Sequence, residues 1–426
     1  VTASADAVVV GGGIVGCAAA YFLAKGGMRV ALVEKGAIAG EQSSRNWGFV
    51  RQQGRDPAEV PLMVAGIRLW RGLEAELGQD LEWRQGGNLS LARDEARLAQ
   101  LEGWLEVARE HRIGSRIVTR REVADLVPGL AGPWPGGLYT ASDGQAEPAR
   151  VAPAFAAAAV RLGADVRTAC AALAIDVAGG SVAGVATESG AIRARTVIVA
   201  AGAWSSRLLR GLGLSLPQQW LRATVARTEP MPELTAAGVW SPEVAFRQRR
   251  DGSFNVADGS GADYDADLET IRHGPAFLPL WRANRGFVRV RVGARLAEDA
   301  LDRVRGLPAA LRRRRTLDPA PAADRVANAA AGLARVAPGL GPVRIAQSWA
   351  GYIDMTPDYI PVLGPVDGIG GLVLATGFSG HGFGMGPIAG RLVAELVRDG
   401  RPSLDLGAFR CSRFRDGSPI APRNVI

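Results

Sequence analysis

Two hydrophobic rhythms alternate along the chain. Short runs that are apolar at every position predict strands covered on both faces, and longer stretches with apolar residues at helical spacing predict helices. The chain opens on such a run, Asp6–Val10 (DAVVV). Gly11-Gly12-Gly13-Ile14-Val15-Gly16 follows, then an alanine-rich helix through Lys25 and a second apolar strand from Arg29 to Glu34. This order reads as a βαβ unit. Asp56-Pro57-Ala58-Glu59 predicts a helix start, with Asp56 capping, proline in the first turn and Glu59 reaching back; the helix should run to Leu77. Helices are also predicted over 94–111 and 147–162, and a short one from Thr119 with Glu122 at capping-box spacing.

Closely spaced strands follow at 166–170, 174–177, 182–187 and 192–193. They suggest a small antiparallel layer that ends in TVIVAA (Thr196–Ala201), apolar enough for a buried parallel strand. Residues 221–229, 244–249, 253–258 and 287–292 alternate more and suggest a separate sheet. The segment 299–337 reads as helical, arginine-rich and broken by prolines. Gly371–Thr376 is a last buried strand, a helix is expected over 386–398, and little order is expected after Arg401. Strand–glycine–helix elements thus lie at the start, middle and end, so two domains are interleaved. The expected segments are 1–84, 146–219 and 326–410 for the dinucleotide-type domain, 85–145 and 220–325 for the second, and 411–426 as a tail.

Composition narrows the classes. With 47% hydrophobic and 22% charged residues a sizeable core forms and wholesale disorder is excluded. The net charge is +8, and all but Lys25 and Lys35 of the 50 basic residues are arginine. The 42 acidic residues are interspersed, so nucleic acid is not the expected partner, and the run at 311–315 (LRRRR) reads as a solvated face. Three distant cysteines give neither a zinc spacing nor a disulfide framework; no metal site is expected, and a reducing cytoplasmic setting is. The apolar stretch 7–24 contains several glycines and reads as strand, turn and helix, so no membrane span is expected.

Gly11-x-Gly13-x-x-Gly16 carries chemistry. Gly11 permits the tight turn, Gly13 lets a pyrophosphate approach the backbone, and Gly16 lets helix and strand pack closely, so free N–H groups and the helix dipole meet the phosphates. Glu34 ends the second strand, where a carboxylate accepts from ribose hydroxyls and repels a 2′-phosphate. Ala375–Gly386 (ATGFSGHGFGMG) follows a strand and offers a second set of backbone N–H groups.

Four segments in order, VVVGGGIVG, SSRNWGFVRQQGR (Ser43–Arg55), VIVAAGAWS, and SWAGYIDMTPDYIPVLG followed by LATGFSGHGFGMGP, resemble the D-amino-acid-oxidase-type superfamily of FAD-dependent amine oxidoreductases. The loop Ser43–Arg55 is most similar to bacterial L-amino-acid-oxidase-type members. The resemblance implies a mixed α/β fold, with a glutathione-reductase-like Rossmann FAD domain interleaved with a mixed-sheet domain that roofs the flavin. It implies that Gly11, Gly13, Ile14, Val15 and Gly16 hold the FAD pyrophosphate and that Glu34 and Lys35 lie at the adenosine ribose. Ser43, Ser44, Arg45, Asn46, Trp47 and Gly48 should pass the pyrophosphate and flavin, and Val166 the adenine. Ala201, Gly202 and Trp204 lie in the third segment and Gly351 in the fourth. Gly377, Phe378, Gly380, His381, Gly382, Phe383 and Gly384 should meet the N1–C2=O edge of the isoalloxazine. N–H groups there would stabilise the charge of reduced flavin.

The departures sharpen the expectation. Sarcosine oxidases of this type attach flavin through a cysteine in a stretch resembling Gly351–Asp358; no cysteine lies there, so FAD should be non-covalent. Ile353 stands where glycine oxidase has a carboxylate-clamping arginine, and Gly384 where sarcosine oxidases have a lysine. A substrate carboxylate then needs another guanidinium. Arg51 is the first choice and Arg247 the second. Trp349, Tyr352 and Trp220 are candidate pocket walls. His381 is expected to shape the flavin loop, and His111 and His273 to be surface residues. The expected reaction is oxidation of an L-α-amino acid to a 2-keto acid, ammonia and hydrogen peroxide, with O₂ as acceptor. A D-amino-acid or secondary-amine dehydrogenase is the alternative, and a homodimer is left open.

Overall fold

A computed structural model describes residues 3–421. At its centre six strands pair in the order Val362–Pro365, Leu372–Thr376, Thr196–Val199, Ala7–Val10, Val30–Val33 and Asp165–Arg167; all are parallel except the first, which is an antiparallel edge. Side chains alternate across a strand, and both sides here are covered. Ala7, Val9 and Leu32 face a helical layer of Ile14–Lys25, Pro148–Arg161 and Gly382–Asp399. Val8, Val10 and Val33 face a four-stranded layer built mainly from Ala172–Ala178, Ser181–Thr187 and Gly190–Arg193. This two-sided burial is why those runs are apolar at every position.

A ten-stranded mixed sheet forms the second body. Gln219–Thr228 pairs along most of its length with Ile345–Met355, and on its other edge with Ala262–Asp265 and Phe254–Asp258. Beyond these the sheet continues through Val244–Gln248, Gly238–Trp240, Asn88–Leu91, Gly136–Thr140 and Ser115–Thr119. Helix Ala323–Val336 packs against it. The segment 326–410 therefore contributes to both bodies. The stretch Gly351–Asp354 of strand Ile345–Met355 lines the cavity described below, while the whole strand pairs with Gln219–Thr228.

Several local expectations are corrected. The helix expected over 94–111 breaks at Trp104 into Glu95–Gly103 and Leu105–Glu110. The capping box of Thr119 and Glu122 forms as read. Asp56 accepts from the N–H of Ala58, and Glu59 reaches back to the Asp56 N–H while its carboxyl also meets His381. The last helix starts at Gly382. The chain after Arg401 is ordered through two short 3-10 turns, and Arg413 makes a bidentate pair with Asp358 at 2.7 and 3.1 Å; residues 422–426 lie outside the described residues.

Helices Leu268–Ala283, Ala294–Arg305 and Leu307–Arg313 form an insertion over the cavity. The arginine run is partly solvated, with Arg312 and Arg313 exposed, but every one of its guanidinium groups is also paired. Arg312 and Arg315 pair with Glu188, Arg313 with Asp302, and Arg314 with Glu298 at 2.9 Å. Arg312 and Arg315 thus staple the insertion to the small antiparallel layer, while Arg313 and Arg314 tie its own helices together. His273 is not a free surface residue either: its Nε2 lies 3.3 Å from Glu269.

Candidate active site

An elongated cavity of about 630 Å³ runs between the two bodies. One end is the glycine loop. Gly11 has φ +113°, and a Cβ there would lie 2.4 Å from the Ala200 carbonyl oxygen. A Cβ on Gly16 would lie 2.0 Å from the Gly11 oxygen, so Gly16 serves helix packing and does not line the cavity. Glu34 accepts from the N–H groups of Gly12 and Gly36, both at 2.7 Å. Burial raises its carboxyl pKa, and these two donors oppose that shift. Each of its oxygens keeps a lone pair for a ribose hydroxyl. The Ser43 hydroxyl accepts from Ile14 N–H at 2.9 Å, which ties the loop 42–46 to the helix start.

The other end gathers around Ile345–Met355 and the glycine-rich turn before Gly382. Asp354 is almost wholly buried. It accepts from Gly377 N–H at 2.8 Å, from the Thr376 hydroxyl at 3.2 Å and from the Gln218 amide at 3.3 Å. Burial lifts its carboxyl to about 6, against those donors. His381 lines the cavity, and its Nδ1 meets the Glu59 carboxyl at 2.9 and 3.0 Å. Burial raises Glu59 to about 8 and holds the imidazole well below its usual range, with Arg55 and Arg51 pushing the imidazole the same way. Both shifts favour neutral partners: the carboxyl donates to Nδ1, and Nε2 carries the ring proton.

Arg51 lines the cavity, and so does Arg55 four residues on. Asp143 is fully buried beside them, and burial lifts it to about 6. Arg247 is not brought to the cavity. Its Nε donates to the Trp47 carbonyl and its Nη2 pairs with Glu147 at 3.0 Å, so it supports the backbone beneath the site. Trp349 also stays behind the lining, donating to the Arg45 carbonyl at 3.0 Å. Tyr352 lines the cavity, with its hydroxyl donating to Asp265 at 3.0 Å. Trp220 is core: its indole lies beneath the Arg207 guanidinium at 3.9 Å.

Most of the remaining residues read from sequence line the cavity: Gly11, Gly13, Ile14, Val15, Glu34, Lys35, Ser43, Arg45, Asn46, Trp47, Ala201, Gly202, Trp204, Gly351, Phe378, Gly380, His381, Gly382 and Phe383. The others stand one layer out. The Ser44 hydroxyl donates to the Ala39 carbonyl at 2.6 Å, and Gly48 N–H donates to the Asn46 side chain at 2.8 Å. Val166 sits within Asp165–Arg167 against the helical core. Gly377 serves Asp354, and the Gly384 carbonyl accepts from Trp70 at 2.9 Å. Sequence reasoning missed Gln42, Arg55, Arg97, Trp240, Tyr359 and Glu59. Arg55 closes one segment already singled out, Tyr359 lies within another and Gln42 directly precedes Ser43, which was the available signal; Arg97, Trp240 and Glu59 join the site only through long-range contacts.

The cavity's shape fits FAD. It begins at a helix N-terminus with a ribose-type carboxylate and ends at a second helix N-terminus faced by polar backbone. In accord with this geometry, the DAO family model, described as FAD dependent oxidoreductase, matches residues 6–396. The chain belongs to that family, whose cofactor is FAD. Sarcosine oxidase subunit beta of Rhizobium meliloti is 28% identical over 97% of this chain and 89% of that protein. Mouse mitochondrial dimethylglycine dehydrogenase is 26% identical over 96% of this chain, but the chain spans only 44% of its length. Among solved structures, L-amino acid deaminase from Proteus myxofaciens in complex with anthranilate superposes with a TM-score of 0.92 at 27% identity, covering 98% of this chain and 95% of that one.

Proposed function

We propose that this protein oxidises L-α-amino acids to 2-keto acids, releasing ammonia and hydrogen peroxide. When bound, FAD supplies the hydride acceptor for the substrate Cα–H and hands the electrons to O₂. The observation that carries the reading is the position of the charge. Ile353 gives an apolar wall, and Arg51 supplies the cation from the loop 46–55. Moving the carboxylate anchor from one wall to another reverses which hand of a tetrahedral Cα can aim its hydrogen the same way. The likeness to L-amino acid deaminases over nearly the whole chain supports this hand.

Arg51 would hold the carboxylate, Tyr352 and Ile353 would shape the side-chain space, and the neutral His381–Glu59 pair would donate from Nε2–H rather than remove a proton. No base needs to touch Cα when the amine enters unprotonated. Glu34, Ser43 and the Gly11–Val15 loop would hold the dinucleotide, without a covalent link. We read the six-stranded body, built mainly from 1–84, 146–219 and 326–410, as the FAD domain, and the ten-stranded sheet as the substrate roof. A secondary-amine reading draws on the sarcosine oxidase subunit.

Anaerobic mixing of the yellow protein with separate L- and D-amino-acid panels and sarcosine tests the choice. Bleaching by L-amino acids alone is expected, and admitting air should return the colour with peroxide. Bleaching by D-amino acids or sarcosine alone would overturn the L assignment. R51M is expected to raise KM about 100-fold through loss of a charged, bidentate contact.

A further inference from the structure

One guanidinium in the cavity has no assigned task. Arg55 is only 3% exposed and lines the cavity beside Arg51. Its Nε donates to the Arg51 carbonyl at 3.2 Å, and its Nη1 is buried with no hydrogen-bond partner among the described residues. The guanidinium of Arg51 likewise ends on no acceptor among the described residues. Buried guanidinium groups normally find acceptors, because an unpaired buried donor forfeits its hydration without return.

The nearby acids do not fill these forks. Both Asp143 oxygens accept from the Gln52–Gln53 segment: the N–H of Gln52 at 2.8 Å, its amide at 3.1 Å and the N–H of Gln53 at 3.3 Å. Both Glu59 oxygens face His381. Asp143 therefore offsets part of the charge of the pair, and neither acid occupies its donors. The other cavity arginines are engaged. Arg45 holds Asp318 and the Ala350 carbonyl, Arg315 holds Glu188, and Arg97 holds Gln100 and lies over Trp240. With Arg55 Nε engaged, the Arg51 guanidinium and the Nη groups of Arg55 remain without acceptors among the described residues, enough donors for one carboxylate each.

We propose that Arg51 and Arg55 each take a carboxylate, so that the substrate is a dicarboxylic α-amino acid of the aspartate or glutamate class. This rests on the reading of the cavity as an amino-acid oxidation site. It adds a second anionic subsite and excludes amino acids with apolar side chains as preferred substrates. Arg55 then determines specificity, while Arg51 anchors the α-carboxylate.

The test uses the FAD-loaded enzyme and ligands that cannot be oxidised. The flavin difference spectrum is titrated with succinate and glutarate, and with butyrate and valerate as single-carboxylate counterparts. The diacids should bind at least about 30-fold more tightly, the worth of one charged hydrogen-bonded contact. In R55Q that advantage should fall below about 3-fold, with monoacid affinity unchanged within about 2-fold. R55K keeps the charge and loses the fork, and should fall between. If R55Q does not retain flavin, the wild-type ratio and R55K decide. Equal binding of diacids and monoacids by the wild type overturns the proposal. So does equal weakening of both by R55Q, which would mean that both guanidinium groups share a single carboxylate. Anaerobic bleaching by L-aspartate or L-glutamate well ahead of L-asparagine and L-glutamine would complete the case. Tight diacid binding without bleaching by any L-amino acid would uphold the two-carboxylate site and sink the L-amino-acid reading instead.

Discussion

The central sheet and the helical insertion above the cavity are held by opposite physics. In the sheet, Val8, Val9, Val197 and Ile198 are fully buried, and backbone closeness at glycines sets the geometry. A Cβ at Gly390 would lie 2.5 Å from that of Ala18, so the closing helix and the first helix touch almost backbone to backbone. In the insertion, Arg207 reaches Asp299 at 2.8 Å and Asp267 at 3.3 Å, Arg210 and Arg303 both reach Glu269, and Arg295 joins Arg207 over Trp220. Its outer face leaves Ile271, Val292 and Val304 largely exposed. Shape complementarity tolerates pH and salt but not added atoms; ion pairs tolerate small changes of shape but not loss of a partner.

The largest expected contrast comes from removing a charge on one side and adding atoms on the other. R207M strands Asp299 and Asp267 in a buried site and should cost about 3–5 kcal/mol. Limited proteolysis within 268–318 should accelerate while flavin binding persists, and an unchanged cleavage rate would refute the ion-pair account. G16V places a branched side chain against the Gly11 oxygen and should destabilise by about 3 kcal/mol or more. The 450 nm flavin absorbance of the purified protein is expected to collapse.

Acid should separate the regions next. Burial alone would raise the Glu269 carboxyl, but His273, Arg210, Arg207 and Arg303 overcome it and hold the group at about 2. Its contribution is therefore present above its ordinary value of 4.5 and is lost as pH falls toward 2. Glu188 follows the same sign, held at about 2 by Arg315 despite burial. Asp143 and Asp354 have the opposite sign. Burial raises both to about 6, so ionising them weakens the fold as pH rises from about 4 to 6. Urea midpoints followed across pH 2–8 should show both limbs, and E269Q should blunt only the acid one. The smallest effect is G72A. Gly72 lies inside helix Val60–Leu77 with nothing within 4 Å of a new Cβ, so the variant should gain about 0.5–1 kcal/mol in thermal unfolding.

Legibility in sequence followed the same division. The sheet and its glycines were readable because uniform burial writes itself into consecutive positions, and because Gly11 and Gly16 are demanded by local sterics. The pairing of the arginine run 311–315 was not legible because its partners Glu188, Glu298 and Asp302 belong to other elements. Glu59 shows the limit most plainly: its reach back to Asp56 was legible, but its contact with His381, 322 positions away, was not. Arg55 lay within a segment already noticed, yet nothing local distinguished an open guanidinium from the engaged Arg247.

By itself, the sequence determined the dinucleotide-type βαβ opening, the interleaving of two bodies, the family and its FAD. These rest on local steric rules and on hydrophobic runs, which need no distant partner. Only the tertiary structure decided which arginines face the cavity unpaired, which carboxylates neutralise them and which residue fixes His381. Charge pairing is set by proximity in space, and chain folding alone creates that proximity.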